Sequence, residues 1–285
     1  MTGNIRPSAV AGTWYPGTAT ALAAAVDRHL EIADRRGLDV AGNLVALIAP
    51  HAGLMYSGPV AAHAYRLLRG YGFEVAVLVG PSHFVGFDGV AMCPSAGFET
   101  PFGVTPIDAD CGRAIAGASA LVRDHPAAHL REHSLEMQLP FLARLAPALP
   151  IVPLLIGYQT PATAAGLGEA LATALHGRRA LLIASTDLSH YHDAASAAAL
   201  DQVVIDCVAR FDADGLQRAF DQTPEHACGG GAMVAVMRAA WAAGARDARI
   251  LDYADSGDVS GDKSAVVGYM AAALGTFDRD DRGER

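Results

Sequence analysis

Lysine is almost absent from this chain: Lys263 is the only one in 285 residues, so arginine carries nearly all of the positive charge. That bias points to a GC-rich coding sequence more than to function. Acidic residues outnumber basic ones, 30 to 21, for a formal net charge of −9, and a chain without a basic face is not built to bind nucleic acid. Cysteine is scarce as well. Cys93, Cys111, Cys207 and Cys228 form no CxxC pair, and so few thiols in a chain this long do not make a disulfide scaffold. There is no secretory h-region and no apolar run long enough to cross a bilayer. The expected setting is a reducing cytoplasm with no membrane partner, where free thiols are available as metal ligands. Linker-like stretches and internal repeats are missing too. That favours one domain over residues 1–276, followed by a charged, frayed tail over 277–285. What remains is 52% hydrophobic and 18% charged, a composition with enough apolar mass for a sizeable core.

Periodicity orders that mass into alternating elements. The first 17 residues read as irregular, and an amphipathic helix follows over 18–34. Then come strand 44–49, helix 59–69, strand 74–80, a strand near 88–93, a Pro/Gly-rich stretch over 94–106, and helices near 108–120 and 134–147. Strand 151–156, helix 161–175, strand 179–185, helices 193–210 and 229–243, and strands near 248–254 and 264–273 complete the pattern. Runs such as Leu181-Leu-Ile-Ala suit strands buried on both faces. The alternation predicts an α/β fold, a single domain with a central mixed or parallel sheet flanked by helices.

Four segments end in chemistry. They are Leu-Ile-Ala-Pro-His at His51, Val-Gly-Pro-Ser-His at His83, Ser-Thr-Asp-Leu-Ser-His at His190, and His-Ala-Cys-Gly-Gly-Gly at Cys228. Three of them follow predicted strands, and in open α/β sheets ligands bind beyond the carboxyl ends of the strands. Pro50 and Gly53 let His51 project from its strand end, and His83 repeats the logic one strand later. A lone histidine at such a place is ordinarily a surface residue; two at equivalent strand ends point to ligation. Cys228 stands before a predicted helix, where thiolates are stabilised, and its three following glycines suggest close backbone approach. His51, His83 and Cys228 thus make a ligand set for one transition-metal ion such as iron, copper or zinc. His190, with Asp187 to orient it, suits proton handling.

Other candidates weigh less. His192 reads as a solvated loop residue. His125, His129 and His133 are spaced by four, but Pro126 breaks the first of these turns, so a three-histidine site is not expected. His133 and Glu136 are candidates for the pocket wall, with Ser134 capping the helix that follows. His29, His63, His176 and His226 read as surface or satisfied histidines, and Cys93, Cys111 and Cys207 as core. The acidic segment from Leu251 to Asp262 lacks the spacing and closing Glu of a calcium loop.

The ordered set Gly12-Thr-Trp-Tyr-Pro, Pro50-His-Ala-Gly-Leu-Met-Tyr-Ser-Gly, Gly80-Pro-Ser-His, Glu132-His-Ser-Leu-Glu-Met-Gln-Leu-Pro, Ser185-Thr-Asp-Leu-Ser-His and Ala227-Cys-Gly resembles the Memo family. In prokaryotes its members are often named AmmeMemoRadiSam system protein B. The resemblance runs from about Arg6 to about Ala273. It implies a fold similar to that of class III extradiol (LigB-type) dioxygenases, which hold non-haem iron with two histidines and a carboxylate. Carried over, His51 and His83 match the histidine ligands, His190 matches the proton-handling histidine, and Cys228 stands where the carboxylate does. The resemblance also implies a pocket lined by Trp14 and Tyr56 that takes phosphotyrosine-type peptides. Three functions stay open at this point. One is a metal-dependent, dioxygenase-like oxidoreductase. Another is a vestigial pocket holding a peptide, a small molecule, or copper or iron. The third is a subunit working beside a radical-SAM protein.

Overall fold

The computed structural model describes residues 4–36 and 40–278. Residues 37–39, between the first helix and the first long strand, and the charged tail after Asp278 lie outside them. The strands are β1 (Ile5–Arg6), β2 (Gly42–Ala49), β3 (Val75–Pro81), β4 (Val90–Met92), β5 (Gly97–Thr100), β6 (Gly103–Pro106), β7 (Val122–Asp124), β8 (Ile151–Ile156), β9 (Ala180–Ser185), β10 (His190–His192), β11 (Asp247–Asp255) and β12 (Val266–Phe277). The helices are α1 (Ala19–Arg36), α2 (Leu54–Tyr65), α3 (Ala109–Ala118), α4 (Pro126–His129), α5 (Leu139–Leu145), α6 (Pro161–Ala174), α7 (Ala194–Ala209), α8 (Ala213–Gln222), α9 (Gly230–Ala242) and α10 (Gly257–Ser260).

Nine strands form the central sheet in the order β10-β12-β2-β9-β3-β8-β4-β7, with β11 paired to β12. Its middle, β2, β9, β3 and β8, is parallel. Antiparallel pairings extend it on both sides, β4 on β8 and β12 on β2. The expected mixed sheet is therefore present, and its composition explains the parallel middle. All seven residues of β3 are buried. Side chains alternate across a strand, so Val75, Val77 and Val79 join one core with α6, α7, α8 and α9. Ala76 and Leu78 join the opposite core with α1, α2 and α5. Each buried Val or Leu stabilises the fold by roughly 1.5–3 kcal/mol relative to an exposed one. A strand apolar on both faces can sit only in the centre of such a sandwich.

Four local expectations need correction. Helix α2 begins at Leu54, five residues before the expected start at Pro59, and carries Pro59 inside it. The expected helix over 134–147 is a tight 3-10 turn at Glu136–Gln138 followed by α5. Pro140 has no N–H to return to Glu136, so an α-helical ladder cannot run through that turn. Ser134 consequently caps nothing; its hydroxyl donates to the Pro81 carbonyl at 2.9 Å. The Pro/Gly-rich stretch over 94–106 contributes β5 and β6 to a small second sheet with β1. Helix α8 was not anticipated, although Asp212 caps it and Leu216 and Phe220 bury one face at helical spacing. Among the described residues, no helix is long and apolar enough to cross a membrane.

Candidate metal centre

Parallel strands deliver their carboxyl ends to one edge of a sheet, and here three of them deliver site residues. β2 ends into His51, β3 into His83, and β9 into Asp187. Cys228 arrives from another direction, just before α9. One ligand atom from each of His51, His83 and Cys228 lies within 4.8 Å of the other two, so the group could hold a metal ion.

Hydrogen bonds decide which atoms these residues offer. Ser185, the last residue of β9, donates its hydroxyl to the Ser134 carbonyl at 2.6 Å and accepts from Gln138 Nε2 at 2.7 Å. With its one proton committed, Ser185 Oγ can only accept from His51 Nδ1, 2.9 Å away. The Gln138 amide is itself fixed, since its Oε1 accepts from Tyr65 and its Nε2 donates to the Pro50 carbonyl. His51 is therefore the Nδ1–H tautomer, and its Nε2 lone pair faces Cys228 Sγ at 3.2 Å. His83 is treated in the same way by a different acceptor. Its Nδ1 donates to Glu132 Oε1 at 2.9 Å and its backbone N–H to Glu132 Oε2 at 2.6 Å. The same carboxylate accepts from the N–H groups of His133 and Ser134. A carboxylate or hydroxyl behind each imidazole, fixing ring and tautomer, is the usual support of a metal-binding histidine.

Electrostatics favour a cation here. Burial works to raise the Glu132 pKa, but hydrogen bonds from His83 and Ser134 hold it down to about 2. Burial and the neighbouring His83 lower His51 to about 3, while burial and His51 lower His133 to about 4. Both are neutral near pH 7, the form His51 needs in order to offer its Nε2 lone pair. Asp187 is buried and its pKa is raised, although the N–H groups of His51 and Ala52 oppose this at 2.7 and 3.2 Å. Burial and Asp187 also push the Cys228 thiol up, even with the Asp187 N–H directed at its sulfur from 3.3 Å. Carboxylates thus surround neutral imidazoles and a thiol, and a bound cation would restore the balance and lower the thiol pKa. The donor set fits a transition metal.

A cavity of about 540 Å³ opens over this floor. His51, His83, His133, Asp187 and His190 line it, with Trp14 and Tyr56 on its wall; among the described lining residues none is Lys or Arg. The His133 ring stacks on His83 at 4.6 Å and lies 4.3 Å from Trp14. Two site residues differ from expectation. Asp187 does not orient His190: its carboxylate holds the turn at His51 and Ala52, and among the described residues no hydrogen bond joins it to the His190 ring. Glu136 is not on the wall. It is fully buried behind it, where it pairs with Arg6 and accepts from Tyr15 and the N–H groups of Ala9 and Val10. A carboxylate there neutralises a buried guanidinium and ties down the segment that carries Trp14. Glu132 and Ser185, which support the two imidazoles, were not anticipated. Their signals were present: Glu132 adjoins His133, and Ser185 is a polar residue closing an apolar strand.

The α/β sheet with ligand-type residues at its strand ends is similar in fold to a crystal structure of an uncharacterized protein from Escherichia coli K12. The TM-score is 0.57 at 18% identity, covering 81% of this chain and 100% of that one. The family model for Memo-like proteins matches residues 6–273. The chain is 38% identical to a MEMO1 family protein of Methanothermobacter thermautotrophicus, over 93% of this chain and 98% of the relative. It is 34% identical to one of Nitrosopumilus maritimus, over 94% and 98%. The chain belongs to the Memo family.

Proposed function

We propose that the protein is a metal-dependent oxidoreductase of the extradiol-dioxygenase kind, in which His51, His83 and Cys228 hold one iron or copper ion. The observation that carries this reading is the ligand group, its two imidazoles at the floor of an open cavity and each pinned through Nδ1. A bound ion of this kind supplies Lewis acidity and redox chemistry. The chain's own residues do the rest. Trp14 and Tyr56 offer apolar walls for a planar aromatic molecule, and His190 and His133 present imidazoles able to take or give a proton. Asp187 holds the His51 turn in place.

Cys228 favours a second reading. A thiolate has the charge of a carboxylate but is softer and oxidisable, which suits a pocket that holds metal and a peptide or small molecule without turnover. Metal content of protein purified without added metal or a histidine tag, followed by oxygen uptake with catechols, separates the two. About one ion per chain is expected, lost when His51→Ala and His83→Ala are combined, because losing a ligand costs more than the 10–100-fold of an outer-shell change. His190→Ala should keep the metal and lose uptake. Full occupancy in the double variant removes the ligand assignment, and loaded protein without oxygen uptake leaves the binding reading.

A further inference from the structure

Cys228 and the two ligand imidazoles are reached from different sides. The cavity over His51 and His83 is not lined by Cys228. A separate cavity of about 410 Å³ is, together with His190, Tyr191, His192 and Glu225. Strand β10 is the partition between them, since His190 and Tyr191 line both.

Four residues of metal-ligating type therefore line the second cavity: His190, His192, Glu225 and Cys228. The pairing of β10 with β12 shows how two of them come to share it. His190 stands opposite Val267 and His192 opposite Val266, so Tyr191 is an extra residue, bulged at φ 64°. A tyrosine in the left-handed region is strained. With 79% of it exposed, little packing offsets the strain. Such residues persist where a local shape is needed. His192 Nε2 lies 3.9 Å from Glu225 Oε2, and that carboxylate is largely exposed. The main cavity differs: its mouth is apolar, with Trp14 and Met55 exposed, and its carboxylate, Asp187, is buried and engaged by backbone N–H groups. An exposed carboxylate beside a histidine draws a hydrated cation; an aromatic rim does not.

We propose that the metal ion reaches the centre through this second cavity, taken first by His192 and Glu225 and passed to Cys228, leaving the main cavity to the organic ligand. The inference rests on the ligand assignment above. As the ion arrives, the Cys228 S–H proton leaves to solvent and the sulfur electron pair goes to the metal; no electron is transferred.

Cobalt(II) is the probe, added to metal-free full-length protein, with the thiolate-to-cobalt absorption followed by stopped flow and the affinity taken from end-point titration. His192→Ala combined with Glu225→Gln should slow loading about tenfold, within the range of electrostatic steering, at unchanged affinity. Glu225→Gln alone, at an exposed position, should slow it less and flatten its dependence on salt. A loading rate unchanged in the double variant, with full binding, overturns the route alone. Affinity that falls as far as the rate makes these residues ligands and also overturns it. Absence of the cobalt band in the unsubstituted protein overturns the ligand assignment, and the route with it.

Discussion

Glu132→Gln is the most informative single substitution, because it keeps the shape behind His83 and removes only charge and one acceptor. Glu132 Oε1 accepts from His83 Nδ1, His133 N and Ser134 N at 2.9 Å each, and Oε2 accepts from His83 N at 2.6 Å. An amide supplies one oxygen, so its NH₂ must face at least one of these donors. The best arrangement keeps three bonds and sets the His83 N–H against another donor. An orphaned N–H costs about 1–3 kcal/mol when fully buried and less at this part-buried position, and three charge-assisted bonds become neutral ones at roughly half the strength. Relief from burying a charge offsets part of this, leaving a net loss of about 2–4 kcal/mol. A chain of this size loses about 2–4 °C in Tm per kcal/mol, so metal-free protein should melt roughly 5–15 °C lower. The bond that anchors the His83 ring becomes a neutral one, so the ring is held more loosely, and metal affinity should fall about 10–100-fold, the usual effect of an outer-shell partner. Thermal denaturation of metal-free protein and competition with a chromophoric chelator measure the two quantities. If both stay at their original values, Glu132 does not hold His83. If all binding disappears, Glu132 is a ligand itself.

Cys228 should alkylate faster in metal-free than in metal-loaded protein, whereas Cys93, Cys111 and Cys207, all buried, should stay slow in both; peptide mapping after a timed pulse reads this, and equal Cys228 rates remove the thiol from the ligand set. Gly229→Ala should destabilise the protein by about 1–3 kcal/mol, because its Cβ would meet the Ser185 carbonyl oxygen at 2.6 Å and Thr186 Cβ at 2.7 Å. Chemical denaturation gives the number, and a neutral result would show that the Cys228 turn yields freely. His129 gives a pH signature. Burial lowers its pKa from 6.5 to about 4, against a hydrogen bond to the Ala91 carbonyl. The unfolded chain therefore binds more protons in that window, and this contribution is intact above pH 6.5 and lost as pH falls towards 4. His129→Gln should flatten the slope of stability against pH there, and an unaltered slope would contradict the assignment.

The fold was largely legible because buried parallel strands announce themselves as unbroken apolar runs, and β2, β3, β8 and β9 do so. Site residues at their ends could be read from the turn-forming Pro50, Gly53 and Pro81 beside them. What stayed hidden depends on contacts between distant segments. Asp187 looked like a partner for His190 because the two are close in sequence, yet its carboxylate serves a turn 136 positions away. Glu132 and Glu136 lie four apart in one motif and have different duties, the first behind His83 and the second under Tyr15. Spacing cannot distinguish them, since a tight turn rather than an α-helix separates the two. The one-residue bulge in β10, whose residues line both cavities, was equally out of reach.

The Arg6–Glu136 pair sets a timetable for synthesis. Its partners are 130 positions apart and both buried, and an unpaired buried guanidinium is costly enough to keep the first residues in water until the acid arrives. At about 5–20 residues per second, a ribosome needs roughly 7–26 s to make that stretch. Until Glu136 is made Trp14 has no wall to belong to, while the strand ends bearing His51 and His83 are synthesised partway through that interval. The nascent chain thus passes through a stage with two imidazoles made and no pocket around them, and the segment made first waits for a partner made 130 residues later.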